Sequence, residues 1–506
     1  MKNIYKKLFS FFAVIMLIIS VHWLITAIVQ LAGAAPILLF LFSLAIVVLI
    51  KCPKFIKKIY HLLVAYKFWL LVLVVIYQLA ILLSTNLMIR SDAAMVFNGA
   101  MKIVDEETIS LYLSRYPNNL LLFLYERFFY NLLGINAIWV MQALNIFYVV
   151  LSAYMLHHVT KKYFNETVAN ITYFFYLAFL GFSPQFVTMY TDVMVIPILI
   201  FQLYFIFETF YQRHSTLLPV TLNALMLAIF TAVGVLIRPT LIILPIAVFI
   251  VQLLSLNIKK YLAIFSVFLL GFGISYVALK TVRDSQQEVV LNEEYSITAL
   301  AYIDLGLTYI GTDQIDFQAG LSTFVTDETR VDEHYDGRFS NEVVMKDIKR
   351  RLSEYTPTMF VAHLVQKQVG LVRDGTLGWN YKDASKEGAS FINPLYEKTK
   401  DSQLATLIRN YLIYTDVEGD PYKYYRYGIQ FVFVFLVLGV TIHFVRFDED
   451  RKSQTLALSI FGGFLFLMIF EGGKSRYLIQ FLPQFLMLSG LGYNKTYSWW
   501  KGVRQK

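Results

Sequence analysis

A few charged residues in this chain have the type and setting to do chemistry. Asp92 lies a few residues past a long apolar run, in NLMIRSDAAMVFNGA, beside the small pair Ala93-Ala94. A carboxylate there can take a proton from a hydroxyl group, and an aspartate suits a helix start equally well. Asp192, in Tyr190-Thr191-Asp192, opens another apolar run and admits the same two readings. Arg238-Pro239 occupies a short turn between two apolar runs. Lys474 and Arg476, in Glu471-Gly472-Gly473-Lys474-Ser475-Arg476-Tyr477, precede the last one. Arginine holds a phosphate through its fork of donors and lysine as a point charge; an ion pair with Glu471 is the competing use. Arg115, in the turn-forming string Ser114-Arg115-Tyr116-Pro117-Asn118-Asn119, is a further cation. Together these types suit proton abstraction from a hydroxyl next to a bound anion.

The elements that must position them are membrane helices. The 506 residues are 57% hydrophobic and only 16% charged, with a mean hydropathy of +0.57, where a soluble chain would carry more charge. Apolar runs at 8–31, 36–50, 68–88, 137–156, 168–182, 192–210, 217–236, 240–255, 261–280, 427–445, 455–471 and 477–493 predict about twelve transmembrane helices. The net charge of +9 does not point to nucleic acid, because the basic residues sit in short runs between apolar segments. Those runs (the N-terminal lysines, 51–67, 157–162, Arg213, Lys259-Lys260, 446–452 and 495–506) alternate along the chain. The positive-inside rule then puts both termini in the cytoplasm and Asp92, Asp192, Arg238 and Arg476 outside. The N-terminus reads as an uncleaved first helix, its apolar run being long for a signal peptide. Residues 120–134, LLLFLYERFFYNLLG, carry Glu126-Arg127 at their middle. A charge is costly at bilayer depth, so this stretch reads as a helix on the outer surface, with Asn119 as its cap and Gly134 as its end.

The expected organisation is a transmembrane core over 1–280 with a first external loop at 89–136. A small extracytoplasmic lobe of mixed secondary structure follows over 281–426, between the ninth and tenth spans, and the last helices and a cytoplasmic tail occupy 427–506. The lobe has plausible helices near 341–354 and 356–372 and turns around 374–388. Cys52 is the sole cysteine, so no intrachain disulfide forms. His157-His158 is the only histidine pair and reads as a polar helix end. No P-loop, GxSxG, HExxH, CxxC or dinucleotide fingerprint is present. With no cytoplasmic domain for a nucleotide-sugar, a transferred sugar would have to arrive on a lipid.

Taken in order and with their sidedness, these pieces resemble the GT-C superfamily of polyprenyl-phosphate-sugar-dependent glycosyltransferases. Its members include the protein O-mannosyltransferases and the lipid A aminoarabinose transferases. The resemblance covers most of 68–280 and 455–493. It rests on Asp92 in the first external loop, the Tyr116-Pro117-Asn118-Asn119 turn, the basic run after the next span, Asp192 in the second external loop, and Arg476-Tyr477-Leu478-Ile479 with Pro483. It implies a catalytic Asp92, substrate-binding Asp192, Arg115, Tyr116 and Asn118, and lipid-phosphate ligands Arg238, Lys474, Arg476 and Tyr477. It also implies a polyprenyl-phosphate-linked sugar donor, a cell-envelope glycan or teichoic acid as acceptor, and inversion at the anomeric carbon. No metal cluster is visible, although some members use a divalent cation at the second-loop acid. Two departures stand out: Asp92 lacks a paired acid, and the lobe lies between spans rather than at the C-terminus. A lipid-linked polysaccharide polymerase or ligase, leaning on His334, Arg338 or Arg373, and a transporter or flippase are the rival classes.

Overall fold

The computed structural model describes residues 2–85, 91–212, 216–253, 257–379, 396–413, 421–447 and 450–504. Most of the expected turns around 374–388 lie outside these residues. The helices, in chain order, are α1 (Lys2–Ala34), α2 (Pro36–Lys51), α3 (Pro53–Ala65), α4 (Lys67–Ser84), α5 (Ser91–Ala100), α6 (Glu106–Arg115), α7 (Leu120–Leu133), α8 (Ala137–Tyr163), α9 (Glu166–Tyr176), α10 (Thr191–Phe210) and α11 (Leu217–Ile237). They continue with α12 (Ile243–Leu253), α13 (Ile258–Asp284), α14 (Ala299–Gly306), α15 (Gln314–Ser322), α16 (Asn341–Glu354), α17 (Pro357–Val372), α18 (Tyr396–Thr399), α19 (Gln403–Leu412), α20 (Tyr422–Val445), α21 (Arg451–Ile469) and α22 (Leu482–Arg504).

Among the described residues, eight helices are long and apolar enough to cross a membrane, or nine if a bent pair counts as one span. The expected count of twelve is therefore not reached by this criterion, and four of the runs fold otherwise than as single straight spans. The second run folds as α2, only 16 residues long, followed by a 97° bend into α3. The bend follows from Pro53, which pushes the preceding Cys52 out of the helical region, to φ −114° and ψ 51°. The fifth run breaks after Tyr176 into a π-helical turn over Leu177–Gly181. The eighth is a short apolar helix starting at Pro239, and the last begins as a 3₁₀ turn over Ser475–Phe481.

Helix α7 ends at Gly134 (φ 57°) as expected, but it is not a helix with its charges turned to water. Glu126 and Arg127 are buried, while Phe128 and Leu132 are exposed. Arg127 donates to the Gly99 carbonyl at 2.8 Å and pairs with Glu288 at 3.2 Å. The Arg127 charge is thus sheltered by protein and the apolar face looks outward, which is how a lipid-facing helix tolerates charge. Tyr125 lies close enough to Tyr148 of α8 for their hydroxyls to interact, so α7 folds back along α8.

The basic residues gather at one end of the bundle. Lys67 and Lys161 approach Glu166 at 3.9 and 3.5 Å, Lys162 pairs with Glu208, and Lys452 donates to the Tyr163 carbonyl at 2.6 Å. At the opposite end lies the lobe. The expected mixed character is corrected: among the described residues it contains helices and no strand. Its runs are too short and capped for strands; Ser340 accepts from the Val343 amide to open α16, whose Val343, Val344 and Ile348 recur at helical spacing. These three pack with Tyr295, Leu305, Phe317 and Phe339 in a core separate from that of the bundle. Arg351 closes that core on three carboxylates, at 3.0 Å from Asp304, 2.9 Å from Asp347 and 2.5 Å from Asp316.

Lys367 of α17 ties the lobe to the bundle. Its buried ammonium donates to the carbonyls of Gly306 (2.9 Å), Met468 (2.8 Å) and Phe470 (2.9 Å). It therefore satisfies orphan carbonyls at the ends of both α14 and α21.

Candidate functional site

The site forms where the lobe meets the helix ends. Helix α6 is opened by Asp105, which accepts from the Thr108 amide at 2.8 Å, with Glu106 and Glu107 in the first turn to suit the helix dipole. Tyr112 and Tyr116, four residues apart, share one of its faces, their rings 5.0 Å apart. The following 3₁₀ turn, Pro117–Asn119, turns Asn119 back so that its Nδ2 donates to the Tyr112 hydroxyl at 2.9 Å. Asn119 therefore does not cap α7 with its side chain, as the sequence suggested. The Tyr190 hydroxyl stands 3.5 Å from the Asn119 Oδ1.

Asp92, exposed in the first turn of α5, lies among these tyrosines. Burial raises the Tyr112 hydroxyl above its ordinary range, and the charge of Asp92, hydrogen-bonded to it, raises it further. Burial, and then Asp92, do the same to Tyr116. Tyr302, from α14 of the lobe, is raised by burial, by Glu471 and, among others, by Asp92. An acid among phenols has donors to orient it, and among the described residues no cation forms an ion pair with it.

The arginines come from different helix ends. Arg238 caps α11 in extended backbone (φ −146°), as its following proline demands. Its Nη2 sits 2.6 Å from the Asp192 Oδ1 and its Nε donates to the Thr191 hydroxyl at 2.8 Å. Arg476 approaches the other Asp192 oxygen at 3.7 Å. Both guanidinium groups stand over the Tyr190 ring, at 5.6 and 5.2 Å from its centroid. Tyr190 feels both arginines and Asp92, so the acid and the cations lie within electrostatic range of one phenol. The loop that delivers Arg476 depends on Gly473, at φ +71°, where a Cβ would come within 2.2 Å of the Ile310 carbonyl oxygen.

The structure brings together Asp92, Tyr116, Asp192, Arg238, Arg476 and Tyr477, the last through Glu471, whose carboxylate the Tyr477 hydroxyl reaches. Three expected residues stand differently. Lys474 pairs with Glu471 at 2.7 Å and is largely exposed. Asn118 is exposed at the rim, 3.4 Å from the Asn119 Oδ1. Arg115 turns to the lobe instead, over the rings of Tyr335 (5.5 Å) and Phe339 (5.9 Å), because it follows Leu111 on the face of α6 that packs against the lobe core. Tyr112, Asn119, Tyr190, Tyr302 and Glu471 belong to the site and were not singled out from the sequence as part of it. Tyr190 and Glu471 adjoin flagged positions, whereas nothing in the sequence ties Tyr302 to Asp92. Among the described residues no three His, Cys, Asp or Glu groups come together to hold a metal ion. A divalent cation at Asp192 would have to compete with two guanidinium groups.

A multi-pass helical bundle with charged residues gathered at its ends is an integral membrane protein. The chain belongs to the family described as "conserved hypothetical integral membrane protein", whose model matches residues 1–497. A comparison with curated proteins returned no match. Two crystal structures of ArnT from Cupriavidus metallidurans align with it. The form bound to undecaprenyl phosphate is 14% identical with a TM-score of 0.34, and the apo form 13% identical with a TM-score of 0.31; each alignment covers 85% of this chain and 78% of the other.

Proposed function

We propose that the chain is an inverting glycosyltransferase that moves a sugar from a polyprenyl-phosphate donor to a hydroxyl of a cell-envelope glycan, on the outer face of the membrane. The observation that carries this reading is the meeting of an accessible carboxylate, Asp92, with two arginines, Arg238 and Arg476, around the single ring of Tyr190.

The chemistry is a direct displacement. Asp92 takes the proton of the acceptor hydroxyl, and the oxygen attacks the anomeric carbon. The bond from that carbon to the phosphate oxygen breaks, and the phosphate leaves with the electron pair. Its added charge develops next to the arginines, which are held in place before the reaction and so stabilise it without reorganisation. Asp192 positions these arginines: it is buried and paired with Arg238. Arg238 commits Nε and one Nη to its neighbours, and a guanidinium has five N–H donors, so donors remain for the phosphate. Tyr112 and Tyr302 orient Asp92 and line the approach of the acceptor.

Deleting the gene should remove a sugar from the envelope polymers. Wild type should restore it and Asp92→Asn should not; an unchanged sugar composition, or full rescue by the variant, would sink the proposal. Activity that survives Asp92→Asn but is lost on substitution of His334, Arg338 or Arg373 would point to a polymerase or ligase instead. Passage of a lipid-linked sugar across vesicles without any transfer would point to a flippase.

A further inference from the structure

The lobe holds a second polar cavity, of about 270 Å³, lined by Arg115, Gln318, Arg330, Tyr335, Asp336 and Arg338 among others. We infer that this cavity binds an anionic substituent, a phosphate or a carboxylate, of the acceptor glycan; the inference rests on the transferase reading above.

Arg338 and Asp336 neutralise each other through a bidentate pair, with the second Nη of Arg338 donating to Gln318 at 3.0 Å. Asp332 is spent on the Tyr295 hydroxyl and on the amides of His334 (2.8 Å) and Tyr335 (3.0 Å). Glu333 is 86% exposed and faces His334 at the rim. Hydrogen bonds leave Asp332 and Glu333 charged, but among the described residues no carboxylate forms an ion pair with Arg115 or Arg330, so these two guanidinium groups keep donors for an incoming anion. The Nε of Arg115 is buried without a hydrogen-bond partner. Its guanidinium rests over Tyr335 and Phe339, which holds the planar fork in place by cation–π attraction. A fixed fork with an unmet donor suits an oxyanion.

The wall of the cavity is built and not a loose loop. Val331 donates to the Tyr335 carbonyl at 3.0 Å, and the Thr329 hydroxyl to the Asp336 carbonyl at 3.1 Å. Gly337 adopts φ +74°, where a Cβ would come 1.8 Å from the Thr329 carbonyl oxygen, so that crossing admits glycine alone.

Position links the cavity to the acceptor. Arg115 and Tyr116 are neighbours in sequence, yet Tyr116 faces Asp92 and Arg115 faces the cavity. Helix α6 is the partition, so the two sites lie on the order of one helix diameter apart, ~10 Å. An acceptor whose hydroxyl reaches Asp92 can place an adjoining unit of its chain in the lobe cavity.

The test uses the full chain in nanodiscs of zwitterionic lipid, probed by ligand-observed NMR with glucose 6-phosphate, glucuronate and glucose. We expect at least one anionic sugar to bind and glucose not to; which of the two binds identifies phosphate or carboxylate as the source. Arg115→Gln and the exposed Arg330→Gln should each weaken that binding by tenfold or more, with Arg476→Gln leaving it in place. Binding of glucose equal to that of the anionic sugars would overturn the inference, as would loss in Arg476→Gln alone. The Arg330 variant keeps the test meaningful should Arg115→Gln fail to fold. Binding requires no turnover, so the two readings fail separately. Binding without any sugar transfer defeats the transferase reading, and transfer without lobe binding defeats this one.

Discussion

Arg476 reaches the site at the end of a loop, near a buried carboxylate it shares with Arg238. If both arginines serve the lipid phosphate, replacing one removes part of the electrostatic stabilisation and leaves the acid untouched. Arg476→Gln should therefore lower kcat/KM for the polyprenyl-phosphate sugar by about 10²-fold without shifting the pH profile set by Asp92. Steady-state kinetics across a pH series measures both, and an unchanged kcat/KM would remove Arg476 from the site.

A second residue-scale consequence concerns Asp304 in the lobe. Burial and the adjacent Asp347 carboxylate raise its pKa from an ordinary 3.8 to about 7, although Arg351 opposes the shift. The folded state thus binds a proton more readily than the unfolded one between those values. Its contribution to stability is complete below about pH 4 and is lost as the pH rises through 7. Asp304→Asn should raise the Tm relative to wild type at pH 8 and by a smaller margin at pH 5.5. A larger gain at the acidic pH would contradict the assignment.

At the level of elements, α17 links lobe and bundle through Lys367. Lys367→Met takes a donor from the carbonyls of Gly306, Met468 and Phe470, with the His363 Nε2 still 3.0 Å from the Gly306 oxygen, an expected cost of about 2–4 kcal/mol, seen as a lower Tm. Because Phe470 and Met468 lie just before the loop of Gly473 and Arg476, the same variant should also weaken donor binding. A variant as stable as wild type would show that the three carbonyls find other partners.

Elements also show what could and could not be read from the residues. Helices α16 and α17 fall within a residue of the expected ranges, because Ser340, Thr356 and Pro357 announce their starts. Gly134 ends α7 as expected. The bend at Cys52 was equally legible in Pro53, but a run read only for hydropathy hides it. The inward turn of Glu126 and Arg127 was not legible. It depends on Gly99 and Glu288, which are distant in sequence, and a cost argued from bilayer depth assumes a charge facing lipid. The site divides the same way. Asp92, Asp192, Arg238 and Arg476 could be singled out because charge at a span's end is conspicuous. Tyr112, Tyr190 and Tyr302 were missed because tyrosine is common here, 34 in all, and only packing distinguishes three of them. Arg115, expected to bind substrate, faces the lobe cavity and not Asp92, because one step along a helix turns a side chain by about 100°.

For the whole molecule, the gathering of Lys67, Lys161, Lys162 and Lys452 at one end and the lobe at the other is the arrangement expected of a protein with its basic end in the cytoplasm. Cys52 is exposed at the bend between α2 and α3 and is the only cysteine in the chain, so the native protein carries its own topology probe. A membrane-impermeant maleimide should label Cys52 in inverted vesicles and not in intact cells. In a Cys52→Ser background, Ser322→Cys on the lobe should show the reverse. Labelling of Cys52 from outside would invert the topology and place Asp92 in the cytoplasm.

Reconstitution decides whether Asp92 is the base of a sugar transfer. Purified protein in vesicles would be given a radiolabelled polyprenyl-phosphate sugar and an envelope glycan, and label appearing in the glycan would be counted for wild type and Asp92→Asn. Wild type should transfer the label, and the variant should do so about 10²–10⁴-fold more slowly, with donor binding retained. Transfer by Asp92→Asn at the wild-type rate would exclude Asp92 as the base.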